Sequence, residues 1–293
     1  MTNIGQAKAG VKAFKNSVRF TLAADRGWKQ RVGLAYRDIQ DGVKLYQLAW
    51  ALAFSDIKLR YRGSAIGPFW LTISTGVQIG SMAFIYADLF HTDIHTYFPF
   101  LCVSMIFWGF LSSLVTDGCT SFIGAEGLIK GTRMPFFIHA MRSVLRDAIT
   151  FCHNLVVVII VLVALQVHQS FAVLWVIPGL LLWFVNGFAL ALALGAICAR
   201  FRDIPQIVGA VMQIAFFVTP IMWMPDILKG HRGAELLVHL NPFVYMINIV
   251  RNPLINEPLT MVQVERALAV SAVVVIMSML VFARTRGRIA FWV

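Results

Sequence analysis

Residues 98–116 read FPFLCVSMIFWGFLSSLVT, and residues 171–198 read FAVLWVIPGLLLWFVNGFALALALGAIC. Neither stretch contains Asp, Glu, Lys or Arg. A helix that crosses the hydrocarbon core of a bilayer needs about 20 such residues, within a range of roughly 17–25. Runs this apolar would leave large sticky patches in water, and lipid is their natural solvent. In lipid every backbone N–H and C=O must be satisfied within the segment, which a helix achieves.

Four more windows of the same kind flank these two, at 70–87, 148–167, 206–225 and 267–283. The expected fold is therefore an all-α integral membrane protein with six transmembrane helices. Composition agrees. Hydrophobic residues make up 59% of the chain and charged residues 13%, against about 45–50% and 25% in a soluble domain.

The connecting segments set the expected orientation. With the N-terminus inside, the cytoplasmic segments hold 21 of the 25 Lys and Arg residues and the outside segments hold four, all in 226–266. Moving the register by one helix reverses that bias, so the positive-inside rule predicts N-in and C-in. The same distribution explains the net charge of +11 without nucleic acid as a partner. The first 50 residues are polar and basic and lack the 7–15-residue apolar core of a cleavable signal peptide. The N-terminus is therefore expected to stay in the cytoplasm. Cys102, Cys119, Cys152 and Cys198 lie in or beside apolar segments without metal-like spacing, and read as small buried hydrophobes.

Residues 1–40 read as a basic cytoplasmic arm. Residues 41–66 read as an amphipathic helix, in which Leu45, Leu48, Ala49, Leu52 and Phe54 alternate with Lys44, Gln47, Asp56, Lys58, Arg60 and Arg62. It either lies in the interface plane or packs on its own protein. Segment 226–266 is long for a hairpin, and Asn241-Pro242 and Asn252-Pro253 interrupt its apolar part. Proline disfavours helix in the residue before it. Two short helical pieces follow, near 234–240 and 243–251. They are either re-entrant in the outer leaflet or helices on an external loop.

The spans carry no carboxylate for ion coupling, and His153 is the one ionisable side chain well inside a window. No GxxxxGK[ST] phosphate loop, HExxH or GxSxG occurs. Active transport would thus need a motor on a partner. Asp88, His91, Asp93 and His95 cluster after the first span. They are either a metal site of a membrane transferase or an exposed polar loop.

At the basic face, residues 56–70 read DIKLRYRGSAIGPFW: Gly67 allows a turn, Pro68 suits a first helical position and Trp70 an interfacial anchor. Residues 199–205 read ARFRDIP. Here Asp203 can cap the next helix and Pro205 can enter its first turn. Arg200 and Arg202 either hold the turn at the membrane surface or pair with acidic groups on an ATPase. Thr219-Pro220-Ile221 marks a kink or an end near the outer leaflet.

The runs DIKLRYRGSAIGPFW, ARFRDIPQIV, FFVTPIMWMP and LNPFVYMINIVRNPL, in that order, resemble the ABC-2 permease family. The likeness is to its branch that exports polysaccharides and polyol phosphates, such as O-antigen and teichoic acid. It spans about residues 45–293, with 67–293 as the transmembrane domain. The resemblance implies a homodimer in the bacterial inner membrane with two copies of an ABC ATPase. The ATPase would hold ATP and Mg, and this chain would hold no cofactor and no metal. It implies a lipid-linked glycan as cargo, with drugs or lipids as the alternative. Coupling to the ATPase would involve Asp56, Arg60 and Arg62 of the interface helix, and Glu126, Lys130 and Arg133 of a coupling helix in 117–147. Arg200, Arg202 and Asp203 would form a second contact. Thr219, Pro220, Asn241, Pro242 and Tyr245 would belong to an outer gate. Aromatic rings stack on sugar faces without strong directional bonds. Phe84, Tyr86, Phe107, Trp108, Phe110, Phe216 and Phe217 are accordingly the candidate channel lining, with packing in the core or against lipid as the alternative.

Overall fold

A computed structural model describes residues 27–64, 67, 69–228 and 230–293. Every regular element among them is helical. In chain order these are α1 Trp28–Lys44, α2 Tyr46–Arg60, α3 Phe69–Leu89, α4 Ile94–Thr120, α5 Glu126–Gly131, α6 Phe136–Ala164, α7 Val176–Arg200, α8 Ile204–Val218, α9 Arg232–Leu240, α10 Pro242–Leu254, α11 Met261–Thr285 and α12 Ile289–Trp292.

Four stretches are long and apolar enough to cross a membrane: Ile94–Thr120, Phe136–Ala164, Phe171–Arg200 and Met261–Trp292. The other two expected spans fall on α3 and α8. The 21 residues of α3 are diluted by Thr, Ser, Gly and Gln. The expected window 206–225 is cut short, because α8 has 15 residues and stops at Val218. Thr219 turns extended with ψ 135°, as a residue before proline prefers, and Pro220 has no N–H to continue the ladder.

The bundle is built around α4, which packs against α3, α6, α7 and α8. Fifteen of its 27 residues are buried, so it is enclosed on most of its circumference. In contrast, Met212 is the one buried residue of α8. Small residues let α4 and α7 cross closely, as in many membrane bundles. A Cβ added to Gly118 would sit 3.2 Å from Ala191 Cα. Ser121 Oγ donates to the Ala191 carbonyl at 3.0 Å. Between α7 and α11, Asn186 Nδ2 donates to Ser271 Oγ at 2.8 Å.

Residues 1–26 of the expected basic arm lie outside the described residues, as does Pro68. The rest of that arm is helical, since α1 begins at Trp28 rather than beyond the expected boundary at 41. It is fastened to the bundle. Asp38 Oδ1 accepts from the Phe137 N–H at 3.0 Å and Oδ2 from Arg286 Nε at 2.7 Å. Gly42 leaves room for the Phe137 side chain, because a Cβ there would lie 2.7 Å from Phe137 Cβ. In α2, Ala49, Ala53 and Ile57 recur every fourth residue and form a buried stripe. That stripe packs on α6. Tyr46, Trp50, Phe54 and Leu59 are exposed. One face of α2 thus rests on its own protein, and the other is free for lipid.

The turn before α3 uses Gly67 at φ +63°, a left-handed conformation that glycine adopts without strain. Asn241-Pro242 separates α9 from α10 as expected. Asn252-Pro253 does not break α10, which runs on to Leu254. Pro253 removes the bond that its N–H would give the Ile249 carbonyl. That carbonyl lies against Gly179 of α7, where an added Cβ would come within 3.3 Å of the oxygen.

Candidate functional site

Side-chain ties gather the helix ends into two groups. At one end lie α1, α2, the 121–135 connection, the turn before α8 and the C-terminus. Asp56 of α2 takes a two-pronged bond from Arg142 of α6, with Nε to Oδ2 at 2.7 Å and Nη2 to Oδ1 at 2.5 Å. Arg146, one turn further along α6, reaches Asp117 near the end of α4 at 2.7 Å and stands 3.5 Å from buried Asp147. Asp38 joins α1 to α6 and α11. Burial pushes the Asp38 carboxyl above the usual carboxylate range, while the charge of Arg286 and the bonds from Phe137 and Arg286 act against that rise.

Outside this bonded layer lies α5, where Glu126 and Lys130 pair at 2.6 Å on an exposed face. The Lys130 bond, together with the charges of Lys130 and Arg202, holds Glu126 below the usual carboxylate range. Arg202 is therefore close enough to act electrostatically on α5. The two coupling segments expected from the sequence thus lie within electrostatic range of each other. Arg60, Arg62, Arg133, Arg202 and Asp203 are exposed. The exposed Arg200 guanidinium lies 5.8 Å from the ring centres of both Phe201 and Trp292. Asp56 differs from the rest of the expected coupling set. Its side chain is 17% exposed and is committed to Arg142, so it anchors α2 from within. Asp203 stands at the N-cap of α8 with Pro205 in the first turn, but its side chain makes no capping bond.

At the other end the expected gate residues meet. Thr219 Oγ1 donates to Ala215 and accepts from Asn241 Nδ2 at 2.8 Å. Asn241 Oδ1 in turn caps α10 by accepting from the Phe243 N–H. The Tyr245 hydroxyl donates to the His239 carbonyl at 2.6 Å and accepts from Arg266. Pro220 is buried and Pro242 exposed.

The centre of this end is Arg251, which sequence reading counted only as an external basic residue. It is 1% exposed, and among the described residues no carboxylate lies within ion-pair distance of it. Its guanidinium donates to Pro220 O at 2.5 Å, Asn248 Oδ1 at 2.7 Å and Ser104 Oγ at 3.1 Å. It also lies 4.5 Å from the Phe100 ring centre. One side chain thereby ties together α4, the end of α8 and α10. The available signal was a lone charge inside the apolar run Val244–Val250 and its continuation.

The candidate lining divides. Phe107 and Phe110 pack on Phe151 and Trp183 in the core, at 1% and 3% exposure. They lie on no surface that a polymer could touch. Trp108 is buried against Phe216 and Phe243. Tyr86 and Phe216 are half-buried, whereas Phe84 and Phe217 stand out from the surface. Phe84 borders an open cleft of about 680 Å³ with Asp88, His91 and Asp93. Among the described residues no three His, Cys, Asp or Glu side chains converge to hold a metal ion. Asp88 at the end of α3, His91 and Asp93 in the connection, and His95 at the start of α4 are all exposed. His153 Nδ1 lies 2.7 Å from the Ile149 carbonyl one turn back on its own helix, and its ring meets Phe69 edge-on. This is the packing of a structural histidine.

The chain is similar to two kinds of curated relative. One is an O-antigen export system permease protein RfbA of Klebsiella pneumoniae, 22% identical over 84% of this chain and 95% of that protein. The other is an O-antigen export system permease protein RfbA of Myxococcus xanthus, 23% identical over 70% of this chain and 80% of that protein. The family described as ABC-2 type transporter matches residues 47–255, from α2 through α10. That match spans every tie described above except those made by α1 and by residues from α11 to the C-terminus. The chain thus belongs to the ABC-2 type transporter family, as a multi-pass transport permease whose ATP is hydrolysed on a separate subunit.

Proposed function

We propose that this permease exports a lipid-linked polysaccharide of the O-antigen class across a bacterial inner membrane. It would act as a homodimer with two ABC subunits that bind ATP and Mg. The observation that carries this reading is the similarity over 84% of the chain to permeases named for O-antigen export. The charge count and the order of the helices support six crossings per chain with both termini inside.

The exposed apolar surface supports the dimer. Ile207, Val211 and Ile214 of α8 are all exposed, and a second copy would cover them. Phe84, Tyr86, Phe216 and Phe217 are the aromatic residues left accessible for a glycan. The coupling surface would be α5 with the Arg200–Asp203 turn. Closure of the ATPases would move α2 and α6 as one body through the Asp56–Arg142 pair. The outer end opens when the bonds of Arg251 and Asn241 to the α8 end are broken.

The test is a cell that lacks this chain but makes the lipid-linked glycan. Glycan should accumulate on the cytoplasmic leaflet and reach the surface again when the chain and its ATPase are restored together. Restoration by the permease alone, or normal surface glycan in its absence, overturns the reading.

A further inference from the structure

A small cavity of about 60 Å³ opens at the basic end, between the end of α4 and the start of α6. It is lined by Thr120, Ser121, His139, Arg142, Ser143 and Arg146. The ion pairs above account for the arginines but not for the cavity. His139 is 1% exposed, and neither ring nitrogen has a hydrogen-bond partner in the protein. Arg146 Nε makes no hydrogen bond but stands 3.5 Å from Asp147 Oδ1. A buried polar group without a partner is costly, so the two ring nitrogens at this cavity point to a ligand rather than to packing.

The lining is rich in donors. No carboxylate faces the space, since Asp56 and Asp117 hold the guanidiniums from behind. Those bonds use Nε and Nη2 of Arg142 and Nη2 of Arg146. Nη1 of each arginine keeps its donors and the His139 imidazole completes the donor set, whereas the hydroxyl protons of Thr120, Ser121 and Ser143 go to the Asp117 and Ala191 carbonyls. Guanidiniums fixed by carboxylates behind them, with an imidazole beside them, suit a tetrahedral oxyanion whose oxygens accept from several directions. The space is too small for a sugar ring or a nucleotide. Asp147 lies beside Arg146 and limits the net positive charge, so recognition here rests on directed donors more than on bulk potential.

We propose that this cavity binds a phosphate group, either free or as the headgroup of an anionic lipid. Both helices leave the basic end here, at the level where lipid phosphates lie. The site is independent of the cargo assigned above and would bind phosphate whatever the permease exports.

The test uses the full-length permease. Inorganic phosphate is titrated calorimetrically in detergent, with chloride as control. Lipid retention is measured by native mass spectrometry after release from nanodiscs containing phosphatidylglycerol or a polyprenyl phosphate. Saturable binding of inorganic phosphate identifies a free anion as sufficient. Retention of a phospholipid without it assigns the site to lipid. His139→Phe keeps the ring volume and removes the unpartnered nitrogens, so it should fold with wild-type thermal stability and weaken binding about tenfold or more. Thr120→Asp, at the exposed rim, sets a carboxylate against the anion, should weaken binding about tenfold, and serves alone if the first variant misfolds. Absence of saturable binding by any of the three probes, or unchanged affinity in the folded variants, overturns the proposal.

Discussion

Arg251 is a buried cation held without an ion-pair partner among the described residues. Its charge is stabilised by three oxygen acceptors and a ring face rather than by a counter-ion, so each contact matters more than in a paired guanidinium. Arg251→Lys keeps the charge but cannot span Pro220, Ser104 and Asn248 together. It should lower unfolding stability in detergent by about 1.5–3 kcal/mol for each bond to the charged group that is lost, read as a lower thermal midpoint. Arg251→Met removes the charge and strands the same acceptors, and should be comparably destabilising. Asp56 and Arg142 make a different kind of tie, two-pronged and only partly shielded, with side chains 17% and 20% exposed. A double-mutant cycle with Asp56→Asn and Arg142→Gln should give a coupling of about 1–3 kcal/mol, between the values for exposed and buried pairs. Additive effects would mean that α2 is held by its alanine stripe alone.

Among the elements, helices that needed only apolar length were legible in the sequence, and those decided by contacts were not. The windows at 98–116 and 171–198 became α4 and the Phe171–Arg200 stretch, because burial in lipid asks only for uncharged length. The end of α8 was readable from Thr219-Pro220, yet the apolar window ran past it, since hydropathy does not register a missing N–H. The break expected at Asn252-Pro253 failed for the opposite reason. Gly179 leaves space for the Ile249 carbonyl that Pro253 leaves unbonded, and no local signal announces a glycine 74 positions away. The gate residues Thr219 and Asn241 were chosen from motif likeness, and their direct bond emerged only in three dimensions. Thr219→Val deletes that bond and leaves Asn241 Nδ2 unpaired. It should cost about 1–3 kcal/mol and raise the reactivity of a cysteine placed at the α9–α10 junction toward a water-soluble maleimide. Gly42→Ala should loosen α1 from α6, because its methyl meets Phe137, and proteolysis within Trp28–Lys44 should accelerate.

At the scale of the whole molecule, the charge count and the side-chain ties describe one polarity. The ties collect α1, α2, α5, the Arg200–Asp203 turn and the C-terminus at one end, where the sequence places 21 of 25 basic residues. A reporter fused after Val293 should be active on the cytoplasmic side, and one inserted between α8 and α9 should be labelled from outside. Opposite labelling would remove the assigned orientation. The aromatic path was the least legible part. Phe107 and Phe84 look alike in a chain with 23 phenylalanines, yet one is enclosed by Phe151 and Trp183 and the other is 73% exposed.

The brevity of α8 also shapes the barrier itself. Fifteen residues rise only about 22 Å, short of the roughly 30 Å hydrocarbon layer. Where such a helix crosses, the outer quarter of the hydrocarbon layer would be left to the folded segment Arg232–Leu254. A chain sliding along α8 would then emerge into a depression floored by protein, below the plane of the outer headgroups. The distance over which its hydroxyls go unhydrated would be shortened by about a quarter.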